Sequence, residues 1–169
     1  MAICVDWQIR KLCEEQAMIQ PFDPALINPA SIDVRFGQHV IPEGGTEPSL
    51  VGESGYELGP GEFILAETLE VIRTPRHCAL QFLLKSSVAR LGVQHLLSGY
   101  ADPSFTGRLT LQLKNVNSRT PRVLYPGQRI GQLVVHKLDS WCEVDYSQRV
   151  DSHYKDQPGV VPSWLEQKK

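Results

Sequence analysis

The sequence predicts a mainly β domain, a barrel or a sandwich, with one short helix near its start. Turn-forming residues recur along the 169-residue chain, and apolar residues alternate with polar ones between the turns. Many short strands joined by frequent turns are typical of barrels and sandwiches. A chain of this length suits one domain over residues 1–169, since no repeat or linker divides it.

The first segment is predicted to be helical because Ile9, Leu12 and Cys13 fall on one face. Asp6 stands where a side-chain N-cap would begin this helix. The same segment has no long apolar run, so we expect neither a signal peptide nor a membrane span, and a cytoplasmic location.

Strands and turns follow the helix. Proline and glycine mark turns at 42–45, 59–61 and 126–127. The final segment, 151–169, is polar and is predicted to be a mobile tail or lid. The alternation is clearest over 108–114, where Leu109, Leu111 and Leu113 alternate with Arg108, Thr110, Gln112 and Lys114.

Composition excludes several classes of partner. The chain has 17 Lys and Arg against 19 Asp and Glu, so neither a nucleic-acid polymer nor a membrane is expected as a partner. Its cysteines form no CxxC pair, and we expect thiols that are buried or half-buried. They are Cys4, Cys13, Cys78 and Cys142.

Known catalytic motifs are missing from the sequence. Zinc-dependent base deaminases use HxE and PCxxC segments, and neither is present. The five histidines have no ligand spacing, so no protein-held metal is expected. The chain also lacks a phosphate-binding GxxxxGK[ST] loop and a GxSxG nucleophile turn.

Three places carry groups suited to chemistry. The segment 85–90 reads KSSVAR, with two hydroxyls and two cations that suit a phosphate, although such runs are also common in solvated turns. Asp102 precedes a proline, so it either caps a turn or binds a ribose hydroxyl or a water. Gln112 lies on the polar face of its strand, as a surface amide or as a reader of a base edge.

Six segments in order resemble the dCTP deaminase branch of the dCTP deaminase and dUTPase superfamily, over nearly the whole chain. Each segment is weak alone, but their shared order is specific. They are NPASIDVRFG (28–37), LGPGEFILAETLE (58–70), KSSVARLG (85–92), ADPSFTG (101–107), YPGQRIGQL (125–133) and YSQRVDSHYKDQPG (146–159).

The resemblance implies a distorted, dUTPase-like β-barrel, usually a homotrimer with active sites between subunits. It implies a deoxynucleoside triphosphate, dCTP or dUTP, with Mg²⁺ carried by its phosphates. Residues 146–169 would form the lid or tail. By position, the resemblance implies that the phosphates and a water are held by Lys85, Ser86, Ser87, Val88, Ala89 and Arg90. Asp102 would contact the sugar, and Thr110, Leu111 and Gln112 would face the base. Tyr146, His153 and Gln157 would close over the phosphates from the tail.

The sequence departs from this branch at three places. Gln112 stands where the branch has its catalytic glutamate, His153 replaces a lysine of the tail, and 98–101 reads SGYA. Zinc-free deamination needs a group that takes and returns a proton, which a glutamate can do and an amide cannot.

Three functions therefore stay open. One is dCTP deamination assigned to Ser86, Arg90, Asp102 and position 112. The second is a diphosphatase that releases dNMP and pyrophosphate, with Asp102 orienting the water. The third is a nucleotide-binding regulator without catalysis.

Overall fold

Residues 2–165 are described by the structure, which is a computed structural model. The described residues form fifteen strands, two α-helices and one 3-10 turn at Pro24–Leu26. The helices are α1 (Asp6–Gln16) and α2 (Ser86–Ala89). The strands are β1 (Ala2–Ile3), β2 (Ile19–Gln20), β3 (Ile27–Asn28), β4 (Ser31–Pro42), β5 (Ser49–Leu50), β6 (Tyr56–Leu58), β7 (Phe63–Thr68), β8 (Val71–Arg73), β9 (Cys78–Leu84), β10 (Val93–His95), β11 (Tyr100–Ala101), β12 (Thr106–Gly107), β13 (Thr110–Asn115), β14 (Arg122–Leu124) and β15 (Arg129–Lys137).

One curled antiparallel sheet holds ten of the described strands. Its main path runs β10-β13-β7-β4-β15-β9-β11, with β1 on β15 and with β3 and β5 on β4. A three-stranded sheet, β12-β8-β2, and the pair β14-β6 complete the architecture. The predicted mainly β, barrel-like fold is confirmed.

The core lies inside this curl, and β13 shows how the sequence builds it. Leu111 and Leu113 are fully buried, and they pair with the fully buried Ala66 and Ile64 of β7. Each fully buried leucine stabilises the fold by about 1.5–3 kcal/mol. Because a one-residue slip would turn these leucines outward, the pattern fixes which side chains of β13 face away from the core.

Helix α1 begins at Asp6 and buries the predicted apolar face. The prediction that Asp6 is the N-cap is wrong, because the cap is Val5, which has no side-chain acceptor. Gln8 compensates, since its Oε1 accepts a hydrogen bond from the Val5 backbone N–H at 3.0 Å. Asp6 instead places its negative charge in the first turn, where the helix dipole favours it. The buried face consists of Ile9, Leu12 and Cys13.

The predicted turns also occur. The Gly45 N–H donates to the Pro42 carbonyl at 2.8 Å and closes the turn at 42–45. Gly127 adopts a φ of 81°, a left-handed conformation that a residue with a side chain rarely takes. This glycine lets the chain turn sharply into β15.

The C-terminal tail follows β15 without another strand or helix up to residue 165. Gln157 forms a parallel bridge with Gly107, and its carbonyl accepts from the Arg108 N–H at 3.1 Å. Val160 is buried. The predicted lid therefore packs on the barrel around residues 157–160, while its mobility stays a prediction and residues 166–169 lie outside the described residues.

Within residues 2–165, no helix has the length and apolar character needed to cross a membrane. The four cysteines are free thiols. Three are buried and Cys142 is half-buried, as the sequence predicts.

Candidate functional site

A cavity of about 930 Å³ opens on the face of the sheet opposite the core. Its floor crosses three neighbouring strands, because Gln112 of β13 pairs with Leu65 of β7, which pairs with Ile41 of β4. The tail crosses above it, and we call residues 157–163 the closing segment. The lining comprises Ile41 to Thr46, Phe63, Leu65, Ser98, Tyr100, Asp102, Phe105, Leu109, Thr110, Gln112, Tyr146, Tyr154, Gln157, Val161, Pro162 and Ser163.

Five of the residues singled out in the sequence meet in this cavity, although they come from β13, the loop after β11 and the tail. Tyr146 is held at the cavity by its N–H, which donates to the Pro103 carbonyl at 3.0 Å, and Gln157 by its bridge to Gly107. The five are Asp102, Thr110, Gln112, Tyr146 and Gln157.

Gln112 is held on the floor by both ends of its amide. Its Oε1 accepts a hydrogen bond from the Ser98 hydroxyl, and its Nε2 donates to the Thr110 carbonyl at 3.1 Å. The amide keeps one N–H for a ligand, while its oxygen also lies toward His95. It can therefore bind a base edge, but it cannot carry a proton near neutral pH.

A buried histidine lies in the shell around this amide. His95 of β10 packs edge-to-face on Phe82, with ring centroids 4.8 Å apart, and its Nε2 has no hydrogen-bond partner among the described residues. Burial lowers the pKa of His95, while the Gln112 side chain partly opposes that shift. The ring is therefore neutral at neutral pH.

Asp102 and Tyr146 form another part of the cavity lining. Asp102 is exposed at the start of a turn in which its carbonyl accepts from the Phe105 N–H at 3.1 Å. Burial raises the pKa of Tyr146, and the negative charge of Asp102 adds to the effect. The Tyr146 hydroxyl therefore stays protonated and accepts from the Tyr154 N–H at 3.1 Å.

The KSSVAR segment forms α2 and its flanks, and none of its residues lines the cavity. Lys85 instead turns toward the fully buried Asp33, with its Nζ 2.7 Å from both carboxylate oxygens. Val88 is buried beneath the helix. The outward-facing members, which remain available to a ligand, are Ser86, Ser87, Ala89 and Arg90.

Two further residues lie away from the cavity. The Leu111 side chain is fully buried in the core, so only its backbone could reach a ligand. His153 is exposed and stacks on Trp164, with ring centroids 3.9 Å apart.

Sequence reasoning missed several lining residues. The only sequence signal at Ser98 and Tyr100 was that the segment 98–101 departs from the family pattern. The loop 43–46 was visible as a glycine-containing turn, with nothing to show that it borders the cavity. Tyr154 also lines the cavity, but nothing in the sequence of the tail distinguished it from its neighbours.

Comparison with known proteins gives one consistent family. The family model described as "dCTP deaminase-like" matches residues 3–138. The "dCTP deaminase, dUMP-forming" of Methanoregula boonei is 41% identical over 171 residues, covering 92% of each chain. The protein of the same name from Streptomyces griseus is 40% identical over 163 residues, covering 86% of this chain and 85% of the relative.

A solved structure is similar in fold. The 2'-deoxycytidine 5'-triphosphate deaminase from Agrobacterium tumefaciens superposes with a TM-score of 0.66 at 20% identity. The match covers 80% of this chain and 48% of that chain, so this chain spans about half of that protein's length.

Proposed function

We propose, since this chain belongs to the dCTP deaminase-like family, that it binds a pyrimidine deoxynucleoside triphosphate in the cavity and hydrolyses it. The observation that carries the proposal is the convergence of Asp102, Thr110 and Gln112 on one cavity beneath the closing segment. The cavity has the size of ordinary small-molecule sites, which range over roughly 300–1,000 Å³.

Each part of such a ligand has a complementary group. The second N–H of the Gln112 amide suits an acceptor on the polar edge of cytosine or uracil. Asp102 offers an exposed carboxylate to a sugar hydroxyl, beside the apolar ring of Phe105. Tyr154 and Gln157 of the tail, which line the same cavity, would face the phosphates.

The phosphates need positive charge, and a homotrimer is part of the proposal for this reason. Neither lysine nor arginine lines the cavity among residues 2–165. The exposed Ser86, Ser87 and Arg90 of α2 offer two hydroxyls and a guanidinium elsewhere on the surface. A neighbouring copy that presents its α2 to this cavity would complete the phosphate site.

Magnesium enters the proposal with the nucleotide. In residues 2–165 no group of three or more His, Cys, Asp or Glu side chains is arranged to hold a metal. The phosphates would therefore supply most of the oxygen ligands that Mg²⁺ prefers, and the ion would neutralise their charge.

The first candidate reaction is deamination, in which dCTP and water give dUTP and ammonia. The name of the relatives, "dCTP deaminase, dUMP-forming", supports it. Water attacks C4, and one group must pass its proton to the ring and then to the leaving amine. Because Gln112 cannot do so, that role would fall to another group at the cavity, where the lining carboxylates are Glu43 and Asp102.

The second candidate reaction is diphosphatase chemistry, in which water attacks the α-phosphorus and pyrophosphate leaves. The amide at position 112 favours this reaction, since phosphoryl transfer depends on positioning and charge neutralisation rather than on a proton carrier at the base. Asp102 would orient the water. The relatives' dUMP-forming name requires loss of both the amino group and two phosphates from dCTP, so the two reactions are compatible in one cavity.

Calorimetric titration tests the binding part. With Mg²⁺ present, dCTP or dUTP should bind at least tenfold more tightly than dATP, because the relatives are named for a cytosine nucleotide as substrate. Equal affinity for dATP would overturn the assignment of the base site. Saturating binding without ammonia or pyrophosphate release would leave the regulator as the function.

A further inference from the structure

We infer that Glu67 is the residue that holds the closing segment over the cavity, and that this buried carboxylate thereby sets how tightly the site retains its ligand. Glu67 lies on β7, directly across from Thr110 of β13. It does not line the cavity and touches no ligand in the proposal. It is therefore a positioning residue, and its role in ligand retention rests on the proposed function.

The Glu67 carboxylate is almost fully buried, and donors from three parts of the chain surround it. On one side, Oε1 accepts from the Gln38 N–H at 3.3 Å and lies 2.9 Å from His39 Nδ1. An Arg108 guanidinium nitrogen lies 3.7 Å from the same oxygen. A buried carboxylate is costly unless such partners surround it, so the group is fixed in place by the barrel.

The other oxygen faces the closing segment. Oε2 accepts a hydrogen bond from the Val160 backbone N–H at 3.0 Å, and Val160 itself is buried. One residue further on, the Val161 N–H lies 3.3 Å from the Thr110 hydroxyl. Hydrogen bonds to a charged acceptor are roughly twice as strong as neutral ones, so Glu67 provides the main polar anchor at this point.

Two glycines make the close approach possible. A Cβ on Gly37 would lie 2.4 Å from Glu67 Cγ, and one on Gly159 would lie 2.6 Å from Oε2. The carboxylate is thus enclosed between β4 and the closing segment, with no space for a side chain at Gly37 or at Gly159. Since the barrel side is held by the Gln38 and His39 hydrogen bonds and by the Arg108 ion pair, an added methyl at 159 would displace the closing segment.

The segment that Glu67 anchors also forms part of the cavity wall. Gln157, Val161 and Ser163 line the cavity on either side of the Val160 contact. When the Val160 hydrogen bond is lost, this wall moves away from the site. A ligand enclosed by the wall should then leave faster, while the groups on the floor stay in place.

The replacement Glu67→Gln tests this directly. Both oxygens accept from donors, so the new NH₂ group must face a donor. Oε1 has three donors and Oε2 has one, so the NH₂ group should face Val160. Without ligand, amide hydrogen exchange at residues 157–163 should accelerate by about tenfold or more, with little change in β13. Unchanged exchange at 157–163 in a folded variant would overturn the inference.

A steric variant keeps the charge and removes the concern that Glu67→Gln fails to fold. Gly159→Ala should accelerate the same exchange, whereas the matched control Gly52→Ala should not, because its Cβ would meet only the Ser54 hydroxyl at 4.0 Å. Equal exchange in both variants would contradict the close packing on Glu67.

Ligand retention is measured separately, with dCTP and with a dUTP analogue that carries an imido bridge between the α- and β-phosphorus. Glu67→Gln and Gly159→Ala should each raise the dissociation constant about three- to tenfold through a faster off-rate, with the on-rate unchanged. If exchange becomes faster without this rise in the dissociation constant, Glu67 holds the closing segment but does not affect ligand retention, and the inference about retention is overturned. Absence of nucleotide binding in the unaltered chain would instead refute the proposed function, while the exchange result stands alone.

Discussion

Ser98 donates its hydroxyl hydrogen to the Oε1 atom of Gln112 on the cavity floor. The two residues come from different segments, the loop after β10 and strand β13. Their contact fixes the amide so that its second N–H is available to a ligand. An amide that cannot carry a proton is thus fixed at the position where the family resemblance implies a catalytic glutamate.

Replacing Gln112 with glutamate should raise ammonia release from dCTP. Glutamate keeps the shape and the Ser98 contact, and adds a carboxylate that can take and return a proton. We expect an increase of about 10²-fold or more, within the usual range for general acid–base catalysis. The measurement is an ammonia assay under saturating dCTP and Mg²⁺. A folded variant that binds dCTP without any gain in ammonia would show that position 112 does not limit deamination.

Mixing two inactive variants tests the shared site. Arg90→Ala removes the exposed cation of α2, and Asp102→Asn removes the carboxylate in the cavity. If a neighbouring copy supplies Arg90, refolded mixtures would contain sites with both native residues, and about a quarter of the wild-type turnover should return for equal, random mixing. Each variant alone should stay inactive. Mixtures as inactive as their components would refute the shared site.

Lys85 and Arg90 should differ in their effect on stability. Lys85→Ala leaves the fully buried Asp33 with only Asn28 at 2.8 Å and the more distant Arg129 at 3.5 Å. We expect a loss of about 3 kcal/mol in the free energy of unfolding, as for other broken buried pairs. Arg90→Ala removes an exposed side chain and should change that free energy by about 0.5 kcal/mol or less. Urea unfolding of both variants decides, and equal losses would contradict the assigned Asp33 partner.

His95 should make stability depend on pH. Burial lowers its pKa in the folded state below the value near 6.5 expected in the unfolded chain. Below about pH 6.5 the unfolded chain binds the extra proton, so the free energy of unfolding should fall as pH decreases. His95→Gln should flatten this dependence between pH 7.5 and 5.5, measured by urea unfolding.

The sequence predicted the local features of the fold well because they depend on near neighbours. The alternation around Leu111 gave the strand and its buried face, and the spacing of Ile9 and Leu12 gave the helix. Asp6 was misplaced by one position, since Val5 and Gln8 cap the helix through the backbone and a glutamine rather than through a carboxylate.

The candidate site was predicted only in part, because its contacts join distant segments. Asp102, Thr110 and Gln112 line one cavity, while the roles that the resemblance implies for them stay predictions. By contrast, the pairing of Lys85 with Asp33 joins residues 52 positions apart. The Glu67 contact with Val160 spans 93 positions. Neither pairing leaves a pattern among neighbouring residues in the sequence. A motif suited to phosphate binding has the same sequence whether its lysine faces solvent or a buried carboxylate.

The most direct test of the central claim is product analysis by chromatography after incubation with dCTP, dUTP or dTTP and Mg²⁺, for the unaltered chain and for Asp102→Asn. We expect hydrolysis of dCTP or dUTP, seen as dUTP with ammonia or as monophosphate with pyrophosphate, and its loss in Asp102→Asn with much smaller loss of binding. Intact nucleotides with the unaltered, ligand-bound chain would contradict a hydrolase. Turnover that is unchanged in Asp102→Asn would contradict the role given to this cavity.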